Sequence, residues 1–260
     1  MLVMNQRWIS GVGVTLLVSA AFAAQFKAQG SSKFVKELDP MPAVTFADKT
    51  GVTYISARQV AQLFNHHVEY DRDTRTLTLG DDQFKCDKTL FNGSTLIPLR
   101  KLVDCGAMID TETEPGKIFV TTTEGQFEVI PGKKVIDVDQ SSQRLTGYQG
   151  DLVVINTKVS TGRAGHRTPN GNFSTGPYKS KMHYSKLYNN SPMPYSIQVN
   201  GNVFFHGYSS VPNYPASHGC IRLPNGRYSA AKYLYNWAEK GVDVKVHGSW
   251  TPKKRSKRRG

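Results

Sequence analysis

Two segments of this chain match each other. "GVTYISARQVAQLFNHHVEYDRDTRTLTL", beginning at Gly51, aligns with "GSTLIPLRKLVDCGAMIDTETEPGKIFVTT", beginning at Gly93. Ile55 falls on Ile97 and Arg58 on Arg100. After a one-residue slip, Val68 falls on Ile109, Leu77 on Ile118 and Leu79 on Val120. Each copy reads as a short strand, an amphipathic helix and a hairpin with period-two alternation. The helix faces are Val60, Leu63 and Phe64 in the first copy, and Leu99, Leu102 and Val103 in the second. One such unit cannot bury its apolar face alone, so two packed together are expected to form one small α+β domain over residues 43–124.

From about Gln126 the texture changes. "FEVIPGKKVIDVDQSSQRLTGYQGDLVVINTKVSTG" is a series of strand candidates, with turn signals at Pro131-Gly132, Gln140 to Ser142 and Gly150-Asp151. A loop-rich stretch from Arg163 to Pro194 follows, long enough to be a candidate lid over the cysteine further on, then strands at "YSIQV" and "NVFFH". A helix is expected over Ser229 to Lys240, with Ala230, Tyr233, Leu234 and Trp237 on one face and Gly241 as its stop. "VDVKVHG" then reads as a last strand. Residues 125–248 therefore read as an all-β sandwich or barrel with an attached helix, and the whole chain as α+β with two domains.

The ends set the expected compartment. Arg7 and the uncharged run from Trp8 to Ala24 read as an export signal over residues 1–24, with an A-x-A site at Ala21-Phe22-Ala23. An uncleaved anchor is the alternative reading of that run. Residues 25–42 read as a polar linker. Export makes the periplasm or cell wall the expected location. The net charge is +13, of which Lys253, Lys254, Arg255, Lys257, Arg258 and Arg259 in the 249–260 tail supply six. Such a run is a solvated extension, or lies against an anionic wall polymer or membrane surface. No nucleic-acid-binding motif accompanies it, and no nucleic-acid partner is expected.

Three cysteines then have to be placed in an exported chain. Cys86 and Cys105 fall in the repeat domain and are read as a disulfide, with two buried thiols as the alternative. His66 and His67 have no further ligands clustered with them, so no metal site is expected. Cys220 is the odd cysteine, in "ASHGCIRL". A nucleophilic thiol needs a nearby imidazole. His218 is two residues away, and His206 ends the strand "NVFFH" upstream. Gly207 and Gly219 leave room for close backbone approach. The Gly219 and Cys220 N–H groups are candidates for an oxyanion site, and Arg222 offers a fork of donors to a carboxylate. Tyr195 is a candidate substrate contact or a core residue.

"HGYSSVPNYPASHGCIRL", His206 to Leu223, resembles the signature of YkuD-type L,D-transpeptidases. "VSTGRAGHRTPNGNF", "MPYSIQV" and "AAKYLYNWAEKGVDVKV" agree with it. The resemblance implies Cys220 as nucleophile and His206 as general base, steadied by a backbone carbonyl near Gly207. It further implies that His218 and Ser217 shape the pocket and that Arg222 holds the cysteine loop or binds substrate. The implied substrates are peptidoglycan stem peptides, joined in 3→3 cross-links without metal or organic cofactor. An L,D-carboxypeptidase using water, or a wall-binding protein with a vestigial site, are the alternatives. The repeat domain resembles the stalk-like domain at the start of copper amine oxidases, and is read as a spacer or binding module.

Overall fold

The computed structural model describes residues 35–71 and 73–251. The expected export signal, most of the linker and the basic residues of the tail lie outside them. Among the described residues, no helix is long and apolar enough to cross a membrane.

The repeat is built around a pair of strands that place its matching positions together. The first part of the chain runs β1 (Met41–Pro42), β2 (Val44–Phe46), β3 (Lys49–Ser56), α1 (Ala57–Leu63), β4 (Val68–Asp71), β5 (Thr76–Leu79) and β6 (Asp82–Lys85). It continues through β7 (Lys88–Thr89), β8 (Thr95–Pro98), a 3₁₀ turn (Leu99–Val103), β9 (Met108–Asp110), β10 (Phe119–Thr121) and β11 (Gln126–Ile130). β3 and β8 pair antiparallel with Ile55 directly opposite Ile97, both fully buried. The two hairpins share a register too: Val68 pairs with Leu79, and Ile109 with Val120. A strand at Met41–Pro42, where the linker was expected to continue, pairs parallel with β11.

The second expected helix is a 3₁₀ turn, and its burial pattern says why. The first copy buries Ala57, Val60 and Ala61, the i, i+3, i+4 stripe of an α-helix. The second buries only Leu99 and Leu102, three apart, which suits three residues per turn. Val103 is exposed. The cysteines of this region are free thiols, which corrects the disulfide reading. Cys86 packs in the apolar cluster, and the Cys105 thiol turns back to donate to the Lys101 carbonyl at 3.8 Å. Burial pushes both thiols up to about 11.

The second part begins with β12 (Lys134–Asp139), β13 (Arg144–Gln149) and β14 (Leu152–Lys158). β15 (Gly171–Ser174), β16 (Lys179–Ser185), β17 (Ser191–Asn200), β18 (Val203–Tyr208) and β19 (Ile221–Pro224) follow, then α2 (Ala230–Trp237) and β20 (Asp243–His247). They form two sheets, ordered β14-β13-β12-β20-β15 and β16-β17-β18-β19. α2 packs on β17, β18, β19 and β14. Its apolar face joins a core that also takes in Val44, Phe46 and Tyr54 from the repeat region. From Glu37 onward the described residues form one compact unit.

Two expectations need correcting here. The stretch from Arg163 to Pro194 holds β15, β16 and the start of β17, and is not mainly loop. β16, "KSKMHYS", is an edge strand with no fully buried side chain, so it lacks the alternation that marks a half-buried strand. Asn189 and Asn190 turn its hairpin with φ of 49° and 52°. α2 begins as expected, with the Ser229 hydroxyl capping the Lys232 amide at 3.0 Å. It stops at Trp237, before Lys240, because other parts of the fold take the carbonyls that follow. Lys134 Nζ donates to the Trp237 carbonyl at 2.9 Å, and Lys179 Nζ to that of Ala238 at 2.7 Å.

Candidate active site

β18 and β19 lie parallel, with Phe205 beside Ile221, His206 beside Arg222 and Gly207 beside Leu223. Strand alternation sends Phe205, Ile221 and Leu223 into the core. The opposite face then carries His206, Tyr208 and Arg222, and Cys220, just before β19, falls in line with them. All four line one cavity. Buried His206 keeps its Nδ1 3.0 Å from the Gly207 carbonyl. Donation from Nδ1 to that carbonyl fixes the neutral tautomer and leaves Nε2 as a lone-pair acceptor. Burial pushes its pKa from the usual 6.5 down to about 4.

The segment before Cys220 is a tied turn. Ser217 Oγ donates to the Cys220 carbonyl at 2.5 Å and accepts from the Gly219 amide at 3.1 Å. Gly219 has φ +117°, a conformation that side chains rarely adopt. Thr168 Oγ1 holds the Gly219 carbonyl at 2.8 Å from behind, and itself accepts from the Gly162 amide at 2.9 Å. The resting Gly219 N–H therefore serves the turn, not the cavity. Burial raises the Cys220 thiol above its ordinary pKa, partly opposed by the Phe204 backbone and the Arg222 charge. The Cys220 thiol lies 3.5 Å from the Asn202 carbonyl, positioned to donate to it. Thiol and imidazole are both neutral at rest, for the same reason.

The β16–β17 hairpin walls this cavity, and the loop after β14 reaches its edge at His218. Arg163 Nη2 donates to His218 Nε2 at 2.7 Å. The Tyr188 ring lies 4.6 Å from the His218 ring, and its hydroxyl reaches the His218 carbonyl at 3.4 Å. Ser185, Ser191 and Met193 complete the hairpin's side of the cavity, which encloses only about 50 Å³. Such a space holds a water or two. Cys220 is partly exposed, and the hairpin wall narrows the approach of a peptide to it. Tyr188→Ala should accordingly speed iodoacetamide alkylation of Cys220 several-fold. An unchanged rate would mean that the wall does not limit access.

Of the residues singled out in the sequence, Cys220, His206, His218, Ser217 and Arg222 meet at this cavity. Gly219 sets the turn beneath it. Gly207 is different, because the room it leaves is filled by Asn225 and Ala231, which a Cβ would meet at 2.8 and 3.2 Å. It is a packing position on the core side of β18, and only its carbonyl serves the site. Tyr195 is also outside the cavity: it packs on the core with its ring 5.8 Å from Tyr235. Sequence reasoning missed Tyr208, whose ring carries the Arg222 guanidinium at 4.0 Å. It singled out none of Tyr188, Arg163 and Thr168, although all three fall in the Arg163–Pro194 stretch read as a candidate lid. The i, i+2 step from His206 in a strand was the signal for Tyr208; the other three reach the site only through tertiary folding.

The parallel pair β18–β19 thus brings a histidine and a cysteine to one face, under the β16–β17 hairpin. Residues 133–246 match the family described as the YkuD L,D-transpeptidase catalytic domain. Among solved structures, the chain is similar to an L,D-transpeptidase (Yku) from Stackebrandtia nassauensis, with 28% identity and a TM-score of 0.42. That match covers 46% of this chain and 58% of the other. It is also similar to an L,D-transpeptidase from Xylanimonas cellulosilytica, with 28% identity, a TM-score of 0.39, and coverage of 45% and 62%. The chain thus spans about three fifths of the length of these two proteins. A Mycobacterium tuberculosis L,D-transpeptidase is 13% identical over 84% of this chain and 97% of its own, with a TM-score of 0.40. No curated protein matches.

Proposed function

We propose that this protein is an exported peptidoglycan L,D-transpeptidase working through a Cys220 acyl-enzyme. The observation that carries the reading is the shared cavity of Cys220 and His206, with His206 Nδ1 committed to the Gly207 carbonyl. With Nδ1 so engaged, Nε2 is the ring atom free to take the thiol proton. Sulfur then attacks the carbonyl carbon of the third residue in a tetrapeptide stem. The bond to the terminal D-Ala breaks, and the proton on His206 passes to the departing amine. A thioester on Cys220 remains. An amine of a second stem attacks it after losing a proton to His206, forming the 3→3 cross-link and releasing the thiol.

Arg222 makes no ion pair among the described residues and stacks on Tyr208. Its donors are available for a stem carboxylate. Gly219 N–H contributes to the oxyanion only if Ser217 releases it as the substrate carbonyl enters. The 249–260 tail adds electrostatic docking to anionic wall material. Removing residues 252–260 should weaken wall association, more so at low salt.

The test has two parts. Brief exposure to a carbapenem should leave one adduct, which digestion maps to the peptide holding Cys220. Incubation with tetrapeptide stems should yield cross-linked dimers. Free tripeptides alone would assign water as the acceptor, and no acylation in either the wild type or Tyr188→Ala, with Cys220 still a free thiol, would remove the enzymatic reading.

A further inference from the structure

The largest cavity near the cysteine loop is not the one that holds Cys220. It encloses about 580 Å³ and is lined by Gln140, Arg167, Asn170, Pro215, Ser249 and Trp250, among others. That volume lies in the range of small-ligand sites. It abuts the catalytic cavity. Gly162, on its wall, forms a parallel β-bridge with Ser217, which lines the other. Thr168 also lines the larger cavity, and its hydroxyl holds the Gly219 carbonyl at 2.8 Å. Whatever fills this space touches the far side of the turn that presents Cys220.

The lining chemistry is selective. Gln140 spends both Nε2 hydrogens, on the Thr168 carbonyl at 3.1 Å and Asn170 Oδ1 at 2.6 Å, leaving Oε1 to accept. Asn170 spends one Nδ2 hydrogen on the Gly248 carbonyl at 3.1 Å, leaving the other to donate. These amides are therefore fixed in orientation, with Gln140 Oε1 open to accept and one Asn170 N–H open to donate. Arg167 is exposed and adds a fork of donors, and Ser249 adds a hydroxyl. Trp250 supplies a partly exposed ring beside Tyr214, with centroids 6.5 Å apart. Pro169 and Pro215 stiffen the rim. Fixed amide donors and acceptors suit hydroxyl and acetamido groups, which both give and accept hydrogen bonds. A flat indole suits the apolar face of a pyranose ring.

We propose that this cavity is a saccharide subsite that holds an N-acetylated amino sugar of the glycan carrying the stem, with Trp250 as its stacking platform. The proposal rests on the peptidoglycan reading above for its ligand, but its binding test does not depend on Cys220 chemistry. Glycan held here, one β-bridge away from Ser217, anchors the stem that enters the catalytic cavity. It also braces the Cys220 turn through Thr168.

Chitotetraose, a β-1,4-linked tetramer of N-acetylglucosamine, is the probe, titrated into the full chain with tryptophan fluorescence as readout. Of the three tryptophans, Trp237 is fully buried and Trp250 lines the cavity. A saturable change is expected, absent in Trp250→Ala. Calorimetry on Arg167→Ala, which keeps the fluorophore and alters an exposed side chain, should show affinity at least fivefold weaker. No saturable change, or an identical response in Trp250→Ala, would overturn the proposal, as would unchanged affinity in Arg167→Ala. In turnover, Trp250→Ala should raise KM for a disaccharide-linked tetrapeptide and leave KM for the free tetrapeptide unchanged. Equal effects on both would also overturn it. Chitotetraose binding without any Cys220 acylation would sink the transpeptidase reading alone.

Discussion

Replacing Cys220 with Ala should take stem-peptide turnover below detection, and His206→Gln should lower Cys220 acylation by roughly 10²- to 10⁴-fold. The two differ because the first removes the atom that bonds to the substrate, and the second removes only the acceptor for its proton. Gln keeps an amide near the Gly207 carbonyl, so the local hydrogen bond survives while the base does not. Burial has pushed His206 down and Cys220 up, which opposes a resting thiolate–imidazolium pair. Wild-type Cys220 should therefore alkylate slowly at pH 7 and faster as pH rises into the alkaline range. A thiolate titrating below pH 7 in the free protein would contradict this description of the resting site.

The same histidine carries a stability signature. Its folded pKa of about 4 lies below the usual 6.5, so between those values the unfolded chain binds more protons than the native one. Its contribution is complete above about pH 6.5 and is lost as pH falls toward about 4. A fall from 6.5 to about 4 corresponds to about 3 kcal/mol at most. Urea midpoints at pH 7 and pH 4 should show that loss in the wild type, and a smaller one in His206→Gln. Equal losses in both would assign the acid sensitivity to other groups.

The chemistry was more legible in the sequence than its enclosure. Cys220, His206 and Arg222 stand out because a strand, a glycine-bearing turn and a second strand write their spacing into consecutive residues. Residues beyond that local grammar stayed hidden. Tyr188, in the turn after edge strand β16, and Arg163, in the loop after β14, meet His218 from irregular segments that carry no periodic signal. Thr168 is one threonine among many until folding brings it to Gly219. Conversely, Gly207 attracted notice as a glycine beside a histidine, yet its missing side chain answers to Asn225 and Ala231 on the core side. The internal repeat was readable down to the Ile55–Ile97 pair. The helix type of its second copy was not, because two buried leucines three apart fit either an α-helix or a 3₁₀ turn.

Trp237→Ala should destabilise the protein by about 3–5 kcal/mol and lower Tm by about 10 °C, in a single unfolding transition. The indole is fully buried and close-fitted: a Cβ at Gly147 would sit 2.8 Å from its ring. Its Nε1 donates to Gln149 Oε1 at 3.3 Å, and Gln149 Oε1 also accepts from the Thr45 amide at 3.0 Å. The Trp237 carbonyl accepts from the Ala47 amide at 3.3 Å. Tyr233, one turn earlier, donates to the Thr89 carbonyl at 2.9 Å, with its ring 6.0 Å from Phe46 and 5.3 Å from Phe91. One helix thus binds the repeat region and the β-rich region into a shared core, so loosening it loosens both. For the same reason, residues 126–260 alone should aggregate, because truncation strips Phe46, Thr89 and Phe91 from the α2 face. Two resolved transitions in the wild type, with only one moved by Trp237→Ala, would show instead that the regions fold independently, and a soluble, folded 126–260 fragment would say the same.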